Sequence, residues 1–258
     1  MTPLERLERA SWDLTWLPPD THVVNRPEVL AVSCARDVPY LNAVLRTRAT
    51  PDHLPALVEE VAAMHRGRTS RWVVVDSTPT AALRDTLEGA RYRATQTHDA
   101  RLVHVPSAVL PSRPDTIAVR RVTDEATLRD CWAVIDAAFG PSQRHPNDLT
   151  AELTACASER GRIQRFVAYA DGAPIASGGI TRYPELSLAL LWGGGTVPRA
   201  RGRGAYRALV ATRLACARRW DVGFAGLYAR TGSSSPLVAK LGFARHGEMT
   251  YYTRDADT

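Results

Sequence analysis

The chain of 258 residues is almost without lysine: Lys240 stands alone, so nearly all of its 33 basic residues are arginine, and the formal charge is +6. No run of 18 apolar residues occurs, which argues against a membrane-spanning helix. The opening residues Met1-Thr2-Pro3-Leu4-Glu5-Arg6 lack the apolar stretch of a secretory signal. A soluble, cytoplasmic protein with no membrane partner is therefore expected. The four cysteines, Cys34, Cys131, Cys156 and Cys216, never take CxxC spacing. They suit buried free thiols, so neither a disulfide framework nor a metal site is expected. No arginine run is interleaved with aromatics, which argues against a nucleic-acid partner. A positive field of this kind also attracts polyphosphate ligands, because long-range attraction does not discriminate among anions.

What the sequence does contain is a repeated order of elements. Val105 to Asp115 carries Pro106, Pro111 and Pro114 and reads as a linker. Before it, Arg71 to Asp76 reads as a buried strand, Ser77-Thr78-Pro79 as a helix start, and Leu83 and Leu87 as the buried face of a helix that stops at Gly89. Near the C-terminus the order returns as the strand Phe224 to Ala229, the cap Ser234-Ser235-Pro236, a short helix and Gly242-Phe243. A further strand closes each copy, His98 to Val105 and Gly247 to Thr253. This recurrence points to duplication, with one lobe over 1–112 and another over 113–258.

The second half begins with a strand, Thr116 to Val122. Thr123-Asp124-Glu125 then caps a helix in which Leu128, Cys131, Trp132, Ile135 and Phe139 recur at helical spacing, ended by Gly140-Pro141. A helix around Leu149 to Ala157 follows, then three strands: Arg165 to Tyr169, Pro174 to Thr181 and Ser187 to Trp192. Asp171-Gly172 joins the first two of these as a hairpin. The fold class is α+β, with a mixed, mainly antiparallel twisted sheet flanked by helices in each lobe.

The most informative stretch runs from Trp192 through Gly193-Gly194-Gly195-Thr196-Val197 and Arg199-Ala200-Arg201-Gly202-Arg203-Gly204 into a helix carrying Leu209, Val210 and Leu214. Glycine lets a backbone approach a ligand closely, and the first turn of a helix offers unpaired N–H groups and a favourable dipole. Arg199, Arg201, Arg203 and Arg207 add charge for a ligand with several phosphates. A solvated glycine-rich turn is the plain alternative. No Walker lysine follows the glycines, and no G-x-G-x-x-G opens a helix after a first parallel strand.

Arg199-x-x-Gly202-x-Gly204 resembles the (Q/R)-x-x-G-x-(G/A) pyrophosphate loop of the GNAT superfamily of acyl-CoA-dependent N-acetyltransferases. Lys240-Leu241-Gly242-Phe243 resembles that family's frequent ending, and the hairpin at Asp171-Gly172 falls in family order. The resemblance covers residues 116 to 253. It implies that the second lobe binds acetyl-CoA through Gly195, Thr196, Val197, Arg201, Gly202, Arg203, Gly204, Ala205, Tyr206 and Thr231. It further implies that the Val197 N–H stabilises the oxyanion, and that no metal is used.

Val238 stands where the family often has a tyrosine general acid, and Thr231 where it often has asparagine. Tyr228 is a candidate replacement acid or a packing residue. Glu185 is a candidate general base or a solvated turn residue, with Asp136 and His145 as weaker candidates. The first lobe has Leu45 to His53, without glycine, where the loop belongs, so it is expected to be a degenerate copy that binds no cofactor. The expected activity is acetyl transfer from acetyl-CoA to a primary amine of a small molecule, by a monomer or homodimer. A protein or peptide amine as acceptor, and a non-catalytic acyl-CoA sensor or partner subunit, remain open alternatives.

Overall fold

The computed structural model describes residues 1–78, 80–142, 144 and 147–256. Pro79 of the expected helix start and the candidate His145 lie outside the described residues. In chain order the elements are α1 (Pro3–Ala10), β1 (His22–Arg26), β2 (Val29–Ser33), β3 (Ala43–Thr47), α2 (Leu54–Met64), β4 (Ser70–Val75), α3 (Thr80–Gly89) and β5 (Arg93–His104). The second half follows with β6 (Ala118–Arg121), α4 (Glu125–Phe139), α5 (Asp148–Ala157), β7 (Ile163–Ala170), β8 (Ala173–Tyr183) and β9 (Leu188–Thr196). It closes with α6 (Ala205–Arg219), β10 (Phe224–Arg230), α7 (Ser234–Ala239) and β11 (Ala244–Arg254).

Local chemistry accounts for several of these boundaries. Asp124 caps α4 by accepting a hydrogen bond from the Thr127 N–H at 2.8 Å, and Gly140 ends that helix at φ 97°. Asp171 and Gly172, at φ 54° and 77°, make the tight turn between β7 and β8 that the sequence predicts. All four cysteines are free and buried. No helix among the described residues is long and apolar enough to cross a membrane.

The chain forms two compact units. Unit 1 comprises Met1–Ala10, Arg101–Leu227 and Val238–Ala244; unit 2 comprises Ser11–Ala100, Tyr228–Leu237 and Arg245–Thr258. The division expected at residue 112 differs from this one, because strands change unit along their length. β5 leaves unit 2 at Ala100 and β10 leaves unit 1 at Leu227, while the last strand of the chain completes unit 2. The first ten residues, expected in the N-terminal lobe, belong to unit 1, where Leu7 is fully buried.

Unit 2 orders its strands β1-β2-β3-β4-β11, and β11 pairs antiparallel with β4 from Met249↔Val75 to Arg254↔Ser70. Its core gathers Val44, Leu54, Val58, Trp72, Val74, Leu83, Leu87, Tyr92 and Tyr252. Each such large side chain, taken out of water, contributes about 1.5–3 kcal/mol. Within the core, buried His65 shares a hydrogen bond with Ser70 Oγ at 2.7 Å, and Ser70 Oγ shares another with the Tyr92 hydroxyl at 2.7 Å.

Unit 1 orders its strands β10-β9-β8-β7-β6, antiparallel except for β9 and β10. One face carries α4 and α5, with Leu128, Cys131, Cys156 and Val167 in their core. On α6, Leu209, Val210, Leu214 and Ala217 are fully buried, and this helix packs against β8 and β9. The proline-rich linker is held in place: Arg218 of α6 donates to the Val105 and Ala108 carbonyls.

Candidate functional site

β9 and β10 run parallel for three residue pairs, Phe224↔Leu188 to Gly226↔Leu190. Beyond Leu190, β9 continues to Thr196 with β8 as its described partner, so this stretch keeps one open edge within unit 1. An open strand edge exposes N–H and C=O groups that an extended ligand can pair with.

The strand is longer than its sequence suggests. The sequence places its end at Trp192, yet Gly193, Gly194, Gly195 and Thr196 also belong to it. The reason is a β-bulge: Trp192 pairs with Gly179 and Gly195 with Ser177, so Gly193 and Gly194 together face the single residue Gly178. Gly193 takes φ 58°, a conformation that costs other residues energy, and the extra residue of a bulge leaves its backbone groups outside the ladder.

β9 leads through a 3₁₀ turn, Pro198–Ala200, to Arg201, Gly202, Arg203 and Gly204, and then into α6. Gly202 and Gly204 sit at φ 81° and 86°. Gly204 occupies the N-cap position with no side-chain cap, so the first N–H groups of α6, from Ala205 to Arg207, have no intrahelical acceptor and no capping oxygen. The linker residue Pro114 packs here: a Cβ at Gly204 would lie 2.8 Å from Pro114 Cγ. Arg199, Arg201 and Arg207 are exposed around this helix start, and Arg203 makes a 3.3 Å ion pair with Asp171 in which both side chains face solvent. An exposed pair of this kind is worth little.

One continuous segment therefore brings together Gly195, Thr196, Val197, Arg201, Gly202, Arg203, Gly204, Ala205 and Tyr206. The Thr196 hydroxyl oxygen is buried without a hydrogen-bond partner. Buried polar groups in proteins are normally paired, so an orphan beside an open strand edge fits a bound polar ligand.

The structure bears on four assignments from the sequence. The Val197 N–H donates to the Ile175 carbonyl at 2.9 Å, so it is engaged in the sheet and does not face an oxyanion. The bulge at Gly193 and Gly194 supplies the out-of-ladder backbone instead. Glu185 lies before the start of β9 and Val197 after its end, so a nine-residue strand separates them, roughly 30 Å at ~3.3 Å per residue. Glu185 thus lies at the opposite end of β9 from Val197. Tyr228 packs with Val73, Val75, Met249 and Tyr251. Both the N–H and the hydroxyl of Thr231 donate to the Thr97 carbonyl, at 3.1 and 3.0 Å.

Asp136 is held by Arg144 at 2.7 and 2.8 Å, and that guanidinium keeps its carboxyl below the usual range, which makes it a weak base. The sequence reading missed two residues beside the bulge. Phe139, exposed to 59%, ends α4 with its ring against β9: a Cβ at Gly195 would lie 2.7 Å from its Cε2. Arg213 lies on the α6 face of the sheet and is fully buried. The first was visible only as one member of a helical apolar stripe, and nothing in the sequence distinguishes the second from its many arginine neighbours.

Among the described residues no group of His, Cys, Asp and Glu is arranged to hold a metal ion. No known family profile matches the chain, and no curated protein matches its sequence. Solved structures do match its fold. A GCN5-related N-acetyltransferase from Kribbella flavida superposes with a TM-score of 0.67 at 18% identity, over 98% of this chain and 96% of its own. A GNAT-family acetyltransferase structure from Novosphingobium aromaticivorans gives 0.60 at 19% identity, over the whole of both chains. A tandem GNAT protein from the clavulanic acid biosynthesis pathway gives 0.60 at 13% identity, over 98% of this chain and 88% of its own. At these identities the likeness establishes the fold.

Proposed function

We propose that this chain, which has the fold of tandem GNAT proteins, transfers an acetyl group from acetyl-CoA to the primary amine of a small molecule. The observation that carries this is the unbroken path in unit 1 from an open, bulged strand edge to an uncapped helix start ringed by arginines. The N–H groups from Ala205 to Arg207 and the turn at Gly202 to Gly204 suit a pyrophosphate, where backbone donors and the helix dipole act together. The open edge of β9 suits the amide-bearing pantetheine arm, with the Thr196 hydroxyl as an added polar contact. Acetyl-CoA supplies the activated acyl group as a thioester. In this reading, backbone N–H groups at the Gly193–Gly194 bulge stabilise charge developing on the carbonyl oxygen, a kind of contribution worth about 3 to 4 kcal/mol per donor. Holding amine and thioester together removes much of the entropic barrier. Phe139, exposed beside Gly195, forms the wall against which the acceptor packs.

A non-catalytic acyl-CoA sensor is the second reading. It is favoured by the position of Glu185 at the far end of β9 and by the packing of Tyr228. Calorimetric titration with acetyl-CoA, followed by mass spectrometry of products from an amine library, separates the readings. Binding with acetylated product supports the enzyme, binding without product supports the sensor, and absence of binding removes both.

A further inference from the structure

Arg213 is the most anomalous side chain in unit 1. It is fully buried, and no carboxylate among the described residues pairs with it. Its Nε donates to the Leu209 carbonyl of its own helix at 3.2 Å, and its Nη1 donates to the Gly179 carbonyl of β8 at 3.3 Å, while Nη2 makes no hydrogen bond. A guanidinium keeps its charge at any physiological pH, and burying it without a counter-ion costs several kcal/mol. Besides these two carbonyls, the Tyr206 side chain faces it: its ring centroid lies 6.0 Å from the guanidinium carbon, and its hydroxyl interacts with the guanidinium. A simple apolar side chain at this position would make a more stable core.

The surroundings show what this charge faces. A Cβ on Gly178 would lie 2.9 Å from Nη1, and a Cβ on Gly194 would lie 3.5 Å from Nη2 and 2.9 Å from the Tyr206 ring. Gly178 and Gly194 are the two sides of the β-bulge. The backbone of both strands is therefore stripped of side chains where the guanidinium approaches, and the unpartnered Nη2 lies on the bulge side.

We propose that Arg213 is a positioning residue for acyl transfer: from behind the sheet it fixes the Gly193–Gly194 bulge and directs a positive charge that no carboxylate neutralises toward the carbonyl of an acyl group held there. This rests on the acyl-CoA reading of the site. Charge growing on the carbonyl oxygen is stabilised through the bulge by a cation that water does not screen. The guanidinium fixes the geometry by tying α6 to β8 at the Gly179 carbonyl while its Nε is anchored on the Leu209 carbonyl of its own helix.

The test uses the full-length protein and acetyl-CoA labelled with ¹³C at the carbonyl, so that no acceptor amine need be known. The infrared carbonyl band of the bound thioester is compared among the wild type, Arg213→Lys, Arg213→Met and Arg213→Gln, with affinity and thermal midpoint measured alongside. The expected result is a band displaced to lower frequency in the wild type, mostly retained in Arg213→Lys, and returned toward the free value in Arg213→Met. Acetyl-CoA affinity should change less than about threefold, and the turnover of any amine found should fall by about 10- to 100-fold. Should Arg213→Met fail to fold, Arg213→Gln removes the charge while keeping donors, and the same band shift is required of it. Failure of the wild type to bind acetyl-CoA overturns the acyl-CoA reading, and this proposal with it. Binding with an unmoved band in the charge-removing variants overturns the role of Arg213 alone. Loss of thermal stability and affinity with no band shift identifies a purely structural cation and also overturns it.

Discussion

β3 leads through the 3₁₀ turn Pro51–His53 into α2, and β9 leads through the 3₁₀ turn Pro198–Ala200 into α6. The two paths share a strand, a proline-led turn and a buried helix, and they part at the residues between turn and helix. α2 follows His53 at once, has Pro55 in its first turn, and stands beside Asp52. α6 follows Arg201 to Gly204, with two left-handed glycines and an open N-cap. One helix start has lost an N–H to proline and gained a negative neighbour, whereas the other keeps its donors and has arginines around it. The shared frame is a packing solution, and the four residues from 201 to 204 carry what one needs to hold an anion.

The helices also differ in the polar group each buries, and the largest expected effect tests this. At the end of α2, His65 donates or accepts in a closed set of hydrogen bonds with Val32 and Ser70 and is buried neutral, its pKa pushed down to about 4 chiefly by desolvation. A folded pKa below the unfolded value near 6.5 means full stability above pH 6.5 and progressive loss as pH falls toward 4. The loss from this group reaches about 3 kcal/mol. Urea unfolding of unit 2, followed between pH 7.5 and 4.5, should show this slope, and His65→Gln should flatten it.

Next in size is Gly204→Val, which places a branched side chain at φ 86° and against Pro114. We expect at least a tenfold loss of acetyl-CoA affinity by calorimetry, about 1.4 kcal/mol, with the fold retained. Unchanged affinity would dissolve the contrast between the two helix starts. The same titration should give one acetyl-CoA per chain. A smaller change is expected from Arg201→Ala and Arg207→Ala, each weakening binding by roughly two- to fivefold at low salt and less at high salt, because both side chains are exposed. The smallest is Pro55→Ala. It returns an N–H to α2 but brings no glycine turn, so the stoichiometry should stay at one; a second site appearing in the titration would show that proline alone separates the helices.

What the sequence reveals is local. Asp124, Asp171-Gly172 and the glycines at 202 and 204 each act through their own neighbours, and each is found doing what its residue type implies. The failures are long-range. Val197 is taken by Ile175, and the bulge falls within β9 rather than at its end, yet neither fact follows from spacing, because both depend on how β8 and β9 align. The contact of Pro114 with Gly204 depends on where a loop returns. The end of β9 was hidden by three consecutive glycines, which ordinarily terminate a strand but here form a bulge within it.

The pairing of β11 with β4 has a consequence for how the protein is made. Most of unit 2, Ser11–Ala100, is synthesised before residue 101. The neighbour that β4 pairs with along Ser70–Val75 nevertheless arrives only with Met249–Arg254, after all of unit 1 has been made. Until then the nascent chain holds the apolar edge Trp72-Val73-Val74-Val75 unpaired, the kind of surface on which chains associate wrongly. Unit 2 should therefore complete its fold only once Met249–Arg254 has been made, and a chain that stops before Met249 would be damaged in the half that was made first.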